Sequence, residues 1–145
     1  MQTKNERALE LFLGGYNCAQ SVLASFSEGY GLEAEKALKI SGCMGGGCRH
    51  GDICGAVMGA VMVVGLKYGR GFGEDAEAKQ ICDAAFWQYM EEFKKTHGSI
   101  VCRELLGYDV STEEGMAKHK LIPRAESPCT DFVKDTVDIL EEIGF

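Results

Sequence analysis

The sequence has no excess of basic residues and none of the short motifs that mark common nucleotide-binding or hydrolytic sites. Its 15 lysines and arginines stand against 22 aspartates and glutamates, which gives a formal net charge of -7. Nucleic-acid binders present basic surface to phosphates, and anionic membranes attract the same charges. The charge balance therefore argues against both kinds of partner. Gly-x-Ser-x-Gly, Walker-type and dinucleotide-binding patterns are also absent.

Long apolar segments are missing as well. The longest apolar run, residues 53–66, has 14 residues and includes three glycines. A helix needs roughly 20 apolar residues to cross a bilayer, so this run predicts a buried core helix and no membrane insertion. No secretory signal precedes the first amphipathic segment, and the sequence therefore predicts a cytoplasmic protein.

The spacing of apolar residues predicts an all-α fold in a single domain over residues 1–145. We expect a compact bundle of about five to seven helices, with a glycine-rich loop before the central helix. Gly55-xxx-Gly59 and Ala56-xxx-Ala60 form a small-residue ridge that favours close packing within the chain, with a homodimer interface as the alternative. Helix starts are predicted at Thr3, Asn17, Glu33, Asp52, Glu74, Ser99, Ser111 and Ser127.

Seven cysteines are many for a reducing cytosol, where structural disulfides rarely persist. Their number predicts metal binding or thiol redox chemistry. Four of them, Cys18, Cys54, Cys102 and Cys129, fall in the first turn of a predicted helix. Unpaired N–H groups and the helix dipole stabilise a thiolate there and lower its pKa. These four are the candidate cofactor and metal ligands.

The other three cysteines are predicted to have different roles. Cys43 and Cys48 lie in the glycine-rich loop and are further candidate metal ligands, although their spacing matches no standard zinc or ferredoxin pattern. Cys82 lies on an apolar helix face and is predicted to be a core residue. His50 is read as a surface histidine, and His97 and His119 are assigned no role.

The arrangement of these cysteines resembles the C_GCAxxG_C_C family, which is named after its cysteine pattern. The resemblance implies redox activity and makes Cys18, Cys54, Cys102 and Cys129 the hallmark cysteines. It also implies a relation to the iron–sulfur domain of split-Soret cytochromes, although this chain has no Cys-x-x-Cys-His haem site. The matching pieces are Gly15-Tyr16-Asn17-Cys18-Ala19-Gln20-Ser21-Val22, Cys54-Gly55-Ala56-Val57-Met58-Gly59, Cys102-Arg103-Glu104-Leu105-Leu106-Gly107 and Pro128-Cys129.

Three functions remain open at this point. In the first, the four hallmark thiolates converge on an iron–sulfur cluster or another metal such as zinc, and the protein transfers electrons. In the second, no metal is bound, and Cys18 or Cys54 is the attacking thiol of a thiol–disulfide oxidoreductase or redox sensor. The third is a helical interaction module. The expected partner is a redox protein or a small thiol or oxidant, and whether the protein is an enzyme stays open.

Overall fold

The computed structural model describes residues 1–73 and 75–145, and in that part of the chain the regular structure is helical, with no strands. Seven of its helices have seven or more residues, which confirms the predicted all-α class. None of them is long and apolar enough to cross a membrane. The helices are α1 (Lys4–Leu13), α2 (Cys18–Ser27), α3 (Ala34–Ile40), α4 (Gly55–Tyr68), α5 (Ala76–His97), α6 (Cys102–Leu106), α7 (Glu113–Leu121) and α8 (Pro128–Glu142).

Side-chain caps define several of the helix starts. Thr3 and Glu6 form a reciprocal capping box at α1, and Asn17 and Gln20 form another at α2. At α8 the Ser127 hydroxyl accepts a hydrogen bond from the backbone N–H of Cys129. Each cap satisfies N–H groups that have no partner within the helix. The starts predicted at these three places are confirmed.

Two predicted caps are wrong because the predicted capping side chains bind other side chains. The carboxylate of Asp52 pairs with Arg103 at 2.8 Å, and α4 begins three residues later, with Cys54 at its N-cap. Ser99 donates to Glu104 at 2.7 Å, and α6 begins only at Cys102.

Two further helix bounds differ from the prediction. The predicted start of α5 at Glu74 lies outside the described residues, and the described helix begins at Ala76. Helix α7 is capped by Thr112 and runs for nine residues, longer than the turn or two predicted from Ser111.

Helix α2 lies in the middle of the bundle, in contact with α1, α3, α4 and α8. Its apolar face is buried, and α4 and α1 supply much of the opposing surface. Helices α5 and α8 are joined by a buried hydrogen bond of 2.8 Å between the Tyr89 and Thr136 hydroxyls. The largest fully buried apolar side chains are Phe26, Phe93, Leu23, Leu140, Val22, Val57, Val63, Val64, Val133 and Val137.

The small-residue ridge of α4 packs within the chain, against α2. A methyl group added at Gly59 would lie 2.8 Å from the Cβ of Val22 and 3.0 Å from the backbone oxygen of Ala19. Such distances are shorter than van der Waals contact, so glycine is what allows the two helices to approach this closely. The ridge thus serves the packing expected inside one chain, and it offers no support for a homodimer.

The glycine-rich loop before α4 contains a left-handed turn. Gly46, Gly47, Cys48 and Arg49 have φ values between 58° and 63° in succession. Two of these residues are not glycine, and a left-handed conformation costs roughly 1–2 kcal/mol for each such residue. The turn packs against α6, so tertiary contacts hold it in this conformation.

Candidate functional site

Four cysteines from four separate segments line one pocket of about 770 Å³. Each lies where a helix begins, and each is buried. Cys18 and Cys102 are the first residues of α2 and α6, Cys54 directly precedes α4, and Cys129 is the second residue of α8. The predicted location of these four at helix amino ends is confirmed, and the fold brings them to the same place.

A short backbone pairing holds Cys54 beside Cys102. The N–H of Cys54 donates to the Ile100 carbonyl at 2.8 Å, and the N–H of Cys102 donates to the Asp52 carbonyl at 2.5 Å. The Arg103 guanidinium closes the same junction, with hydrogen bonds of 3.1 Å to the Gly51 carbonyl and 2.8 Å to the Asp52 carboxylate. These contacts between residues about 50 positions apart fix where α4 and α6 begin relative to each other.

Glycines allow the backbone to approach Cys18. A Cβ at Gly55 would lie 3.1 Å from the Cβ of Cys18, and one at Gly45 would lie only 2.5 Å from the Cβ of Asn17. The Asn17 side chain also donates to the carbonyls of Ser41 and Gly42, at 3.2 Å each. The glycine-rich loop is therefore held directly against the start of α2, beside the first of the four cysteines.

The side chains of Cys18 and Cys129 interact, and each shifts the pKa of the other. The hydrogen bond from the Cys18 thiol to Cys129, followed by burial, raises the pKa of Cys18 well above its ordinary value. The same hydrogen bond is the main cause that lowers the pKa of Cys129 to about 7. Burial opposes that change, while the Ser127 hydroxyl and the charge of Arg124 reinforce it.

Burial is the main cause of the raised pKa values of the other two pocket cysteines, Cys54 and Cys102. It raises the pKa of Cys54 to about 11, although the N–H groups of Val57 and Ala56 at the start of α4 act in the opposite direction. It also raises the pKa of Cys102 to about 12, with repulsion from the charged forms of Cys54 and Cys129 as the next causes. The prediction that a helix start lowers the thiol pKa is thus wrong for Cys54 and Cys102, because desolvation disfavours the thiolate more strongly. It is also wrong for Cys18, where the hydrogen bond to Cys129 is the largest cause and burial the next.

The mouth of the pocket carries positive charge. Arg49, Lys120 and Arg124 line it, and no aspartate or glutamate does so among the residues that the structure describes. Arg124 donates to the backbone carbonyls of Phe12 and Tyr16, at 3.0 and 2.7 Å. Because carbonyls are neutral, they position the guanidinium without cancelling its charge.

The cysteine arrangement has a counterpart among known families. A model described as "Putative redox-active protein (C_GCAxxG_C_C)" matches residues 16–143. The chain belongs to this family. No curated protein and no solved structure matches the chain. The resemblance seen in the sequence is confirmed, and redox activity is what the family description gives.

The remaining three cysteines of this family member do not line the pocket. Cys43 and Cys48 are exposed, and neither lines it. Cys82 lies in the middle of α5, half-buried against the apolar core, as predicted. His50 is exposed in the loop, with its Nδ1 2.8 Å from the Cys48 carbonyl oxygen.

Two histidines have partners that sequence reasoning missed. His119 lines the pocket, 2.9 Å from the Tyr108 hydroxyl, and burial lowers its pKa. His97 lies 2.9 Å from the carboxylate of Asp135. No local signal identifies either contact, since each joins residues on different elements of the fold.

The side chains as placed do not form a site for a single metal ion. Within residues 1–73 and 75–145, no group of three or more His, Cys, Asp or Glu side chains has the arrangement that holds one ion. The four pocket cysteines share a cavity and influence one another's charge, but they do not close around one point.

Proposed function

We propose that Cys18, Cys54, Cys102 and Cys129 form one redox centre that binds an iron–sulfur cluster for electron transfer. The observation that carries this proposal is that four buried sulfurs from distant segments line one pocket. Four cysteine thiolates are the common ligand set of [2Fe–2S] and [4Fe–4S] clusters. The described residues that line the pocket include no carboxylate, so the donor set is of the soft type that these clusters use.

A cluster fits this donor set better than a single ion does. Tetrahedral zinc is bound at about 2.3 Å from each sulfur, so its four ligands must crowd around one point. The part of the chain that the structure describes contains no such group. In a cluster, inorganic sulfide separates the irons, and thiolates on different irons lie farther apart. The pocket of about 770 Å³ leaves room for that larger group.

Ligation requires that the sulfurs lose their protons and that their negative charge is offset. Cys18, Cys54 and Cys102 have raised pKa values, so they stay protonated at neutral pH and must release protons when iron binds. Arg124 and the amino ends of α4 and α8 supply positive potential that offsets the four negative sulfurs. When bound, the cluster supplies one-electron transfer, with a potential set by burial and nearby charge.

Anaerobic reconstitution with iron and sulfide tests the proposal. We expect broad charge-transfer absorbance in the near-ultraviolet and visible, with stoichiometric iron and sulfide. Cys102→Ala and Cys129→Ala should lose the bound iron, whereas Cys82→Ala should retain it because Cys82 lies outside the pocket. A double Cys43→Ala, Cys48→Ala variant should also retain it. Full iron binding by both single pocket variants would refute the proposal.

The Cys18–Cys129 contact favours a second candidate function, thiol–disulfide exchange. The Cys129 thiolate would attack a substrate disulfide, forming a mixed disulfide and releasing one thiolate. Cys18 would then lose its proton and attack the mixed disulfide, releasing the second thiol and leaving a Cys18–Cys129 disulfide. The substrate disulfide is reduced by two electrons, and the cysteine pair is oxidised by two. Here the attacking sulfur is Cys129, not Cys18 or Cys54 as the sequence predicts.

Mild oxidation of the metal-free protein tests this second candidate. Peptide mapping by mass spectrometry should find a Cys18–Cys129 disulfide before any other cross-link. A Cys54→Ala control should form it equally well. If the first disulfide joins Cys43 to Cys48, or if no cross-link involves Cys129, the exchange function is wrong.

A further inference from the structure

The charge of the pocket mouth is opposite to that of the molecule. The chain has a net charge of -7. Among the described residues, however, the pocket is lined by three basic side chains, Arg49, Lys120 and Arg124, and by one histidine, His119. Burial lowers the pKa of His119, so it remains mostly neutral at pH 7. Three permanent positive charges therefore line the pocket that holds the four cysteines.

Two of these cations are available to a ligand. Within the described residues, neither Arg49 nor Lys120 pairs with a carboxylate, and both side chains are exposed. Arg124 is held by two backbone carbonyls and lies over the ring of Phe12, 4.7 Å from the guanidinium carbon to the ring centroid. Arg124 thus provides a positive charge at a fixed position, whereas the exposed side chains of Arg49 and Lys120 can move to contact a ligand.

We propose that this mouth selects small organic anions bearing carboxylate or phosphate groups for access to the four-cysteine pocket. The proposal names a ligand class for the proposed redox centre and rests on that site. A small molecule is favoured over an acidic protein because the cations line a concave pocket of about 770 Å³, within the usual size range for small-ligand sites. Guanidinium and ammonium groups bind carboxylate and phosphate by charge-assisted hydrogen bonds.

Disulfide probes of different charge test the selection on the reduced, metal-free protein. The probes are 5,5′-dithiobis(2-nitrobenzoate) with two negative charges, 2-hydroxyethyl disulfide with none and cystamine with two positive charges. Each accepts a protein thiolate, forms a mixed disulfide and releases one small thiolate. Rates are measured in a Cys43→Ser, Cys48→Ser background at low salt. They are divided by the rate of each probe with a neutral small thiol.

We expect the normalised rate to fall from the anionic to the neutral to the cationic probe, by roughly tenfold per step. Arg49→Glu combined with Lys120→Glu should reverse the order. The control variant combines Lys36→Glu with Lys95→Glu, which changes the net charge by the same amount at residues outside the pocket lining. This control should keep the original order of the three probe rates. Equal normalised rates for all probes, or the same change in both double variants, would overturn the proposal. The measurement needs no iron, so failure of cluster binding alone leaves its result unaffected.

Discussion

Replacing Cys18 with alanine tests how the fold stabilises the Cys129 thiolate. The pKa of Cys129 is lowered from 9.0 to about 7, with the hydrogen bond from Cys18 as the largest cause. At pH 7 about half of the Cys129 side chains are therefore thiolate. Alanine removes the donor, and burial, which raises this pKa, is then opposed by the individually weaker contributions of Ser127, Arg124 and the Cys129 backbone N–H. We expect the pKa to return to 9.0 or above.

The effect on reactivity follows from two opposing factors. At a pKa of 9.0 only about 1% of the sulfur is thiolate at pH 7, a loss of about 50-fold. A more basic thiolate is a better nucleophile, and a Brønsted coefficient of about 0.4–0.5 restores about 6- to 10-fold over two pKa units. The net rate with a neutral disulfide should therefore fall by about 5- to 8-fold at pH 7.

The assay is stopped-flow reaction with 2-hydroxyethyl disulfide from pH 5.5 to 10, in a Cys43→Ser, Cys48→Ser, Cys82→Ser background. The rate at Cys129 should rise with pH through a midpoint near 7 in the parent. In Cys18→Ala this midpoint should move up by two units or more. Cys54→Ala is the matched control, because Cys54 is not among the groups that lower the pKa of Cys129. An unchanged midpoint in Cys18→Ala would refute the reasoning.

Two predictions concern the stability of the fold, one through helix packing and one through a buried hydrogen bond. Gly59→Ala should destabilise the fold by about 1–3 kcal/mol, because its methyl group would lie 2.8 Å from the Cβ of Val22. On the same helix, a methyl group at Gly65 would meet nothing within 4 Å, so Gly65→Ala should stabilise the fold by about 0.5–1 kcal/mol. Urea titration measures both variants, and equal changes in the free energy of unfolding would contradict this packing. Tyr89→Phe should cost about 1–3 kcal/mol, because Thr136 loses its buried partner, and an unchanged melting temperature would contradict that role.

Local features of the chain were predictable from the sequence. The caps at Thr3, Asn17 and Ser127 depend on atoms within three residues, so a short pattern is enough to identify them. The cap predicted at Asp52 failed because Arg103, which is distant in the sequence, takes its carboxylate. When a side chain can bind either the local backbone or a residue distant in the sequence, the tertiary fold determines which contact forms.

The chemistry of the site was predictable only in part. Helix position alone suggested which cysteines matter, and the fold gathers those four around one pocket. The pKa directions of Cys18, Cys54 and Cys102 were not predictable, because each depends on burial and on sulfurs from other segments. The positive charge at the pocket mouth was not predictable from the sequence either, because Arg49 and Lys120 come from separate elements of the fold.

The position of Arg49 shows how the loop contributes to the pocket. Arg49 is the last residue of four in a left-handed turn, a conformation that costs energy for a side chain with a Cβ. The turn is anchored where Gly47 packs on the backbone of Asp52, since a Cβ there would lie 2.3 Å from the Asp52 nitrogen. The strain thus accompanies the placement of a positive charge at the pocket mouth.

Iron K-edge X-ray absorption of the reconstituted protein tests the central claim most directly. The account predicts iron surrounded by sulfur alone, with a second shell of iron scatterers that identifies a cluster held by the four pocket cysteines. Iron bound mainly by nitrogen or oxygen, or single irons without iron neighbours, would contradict it.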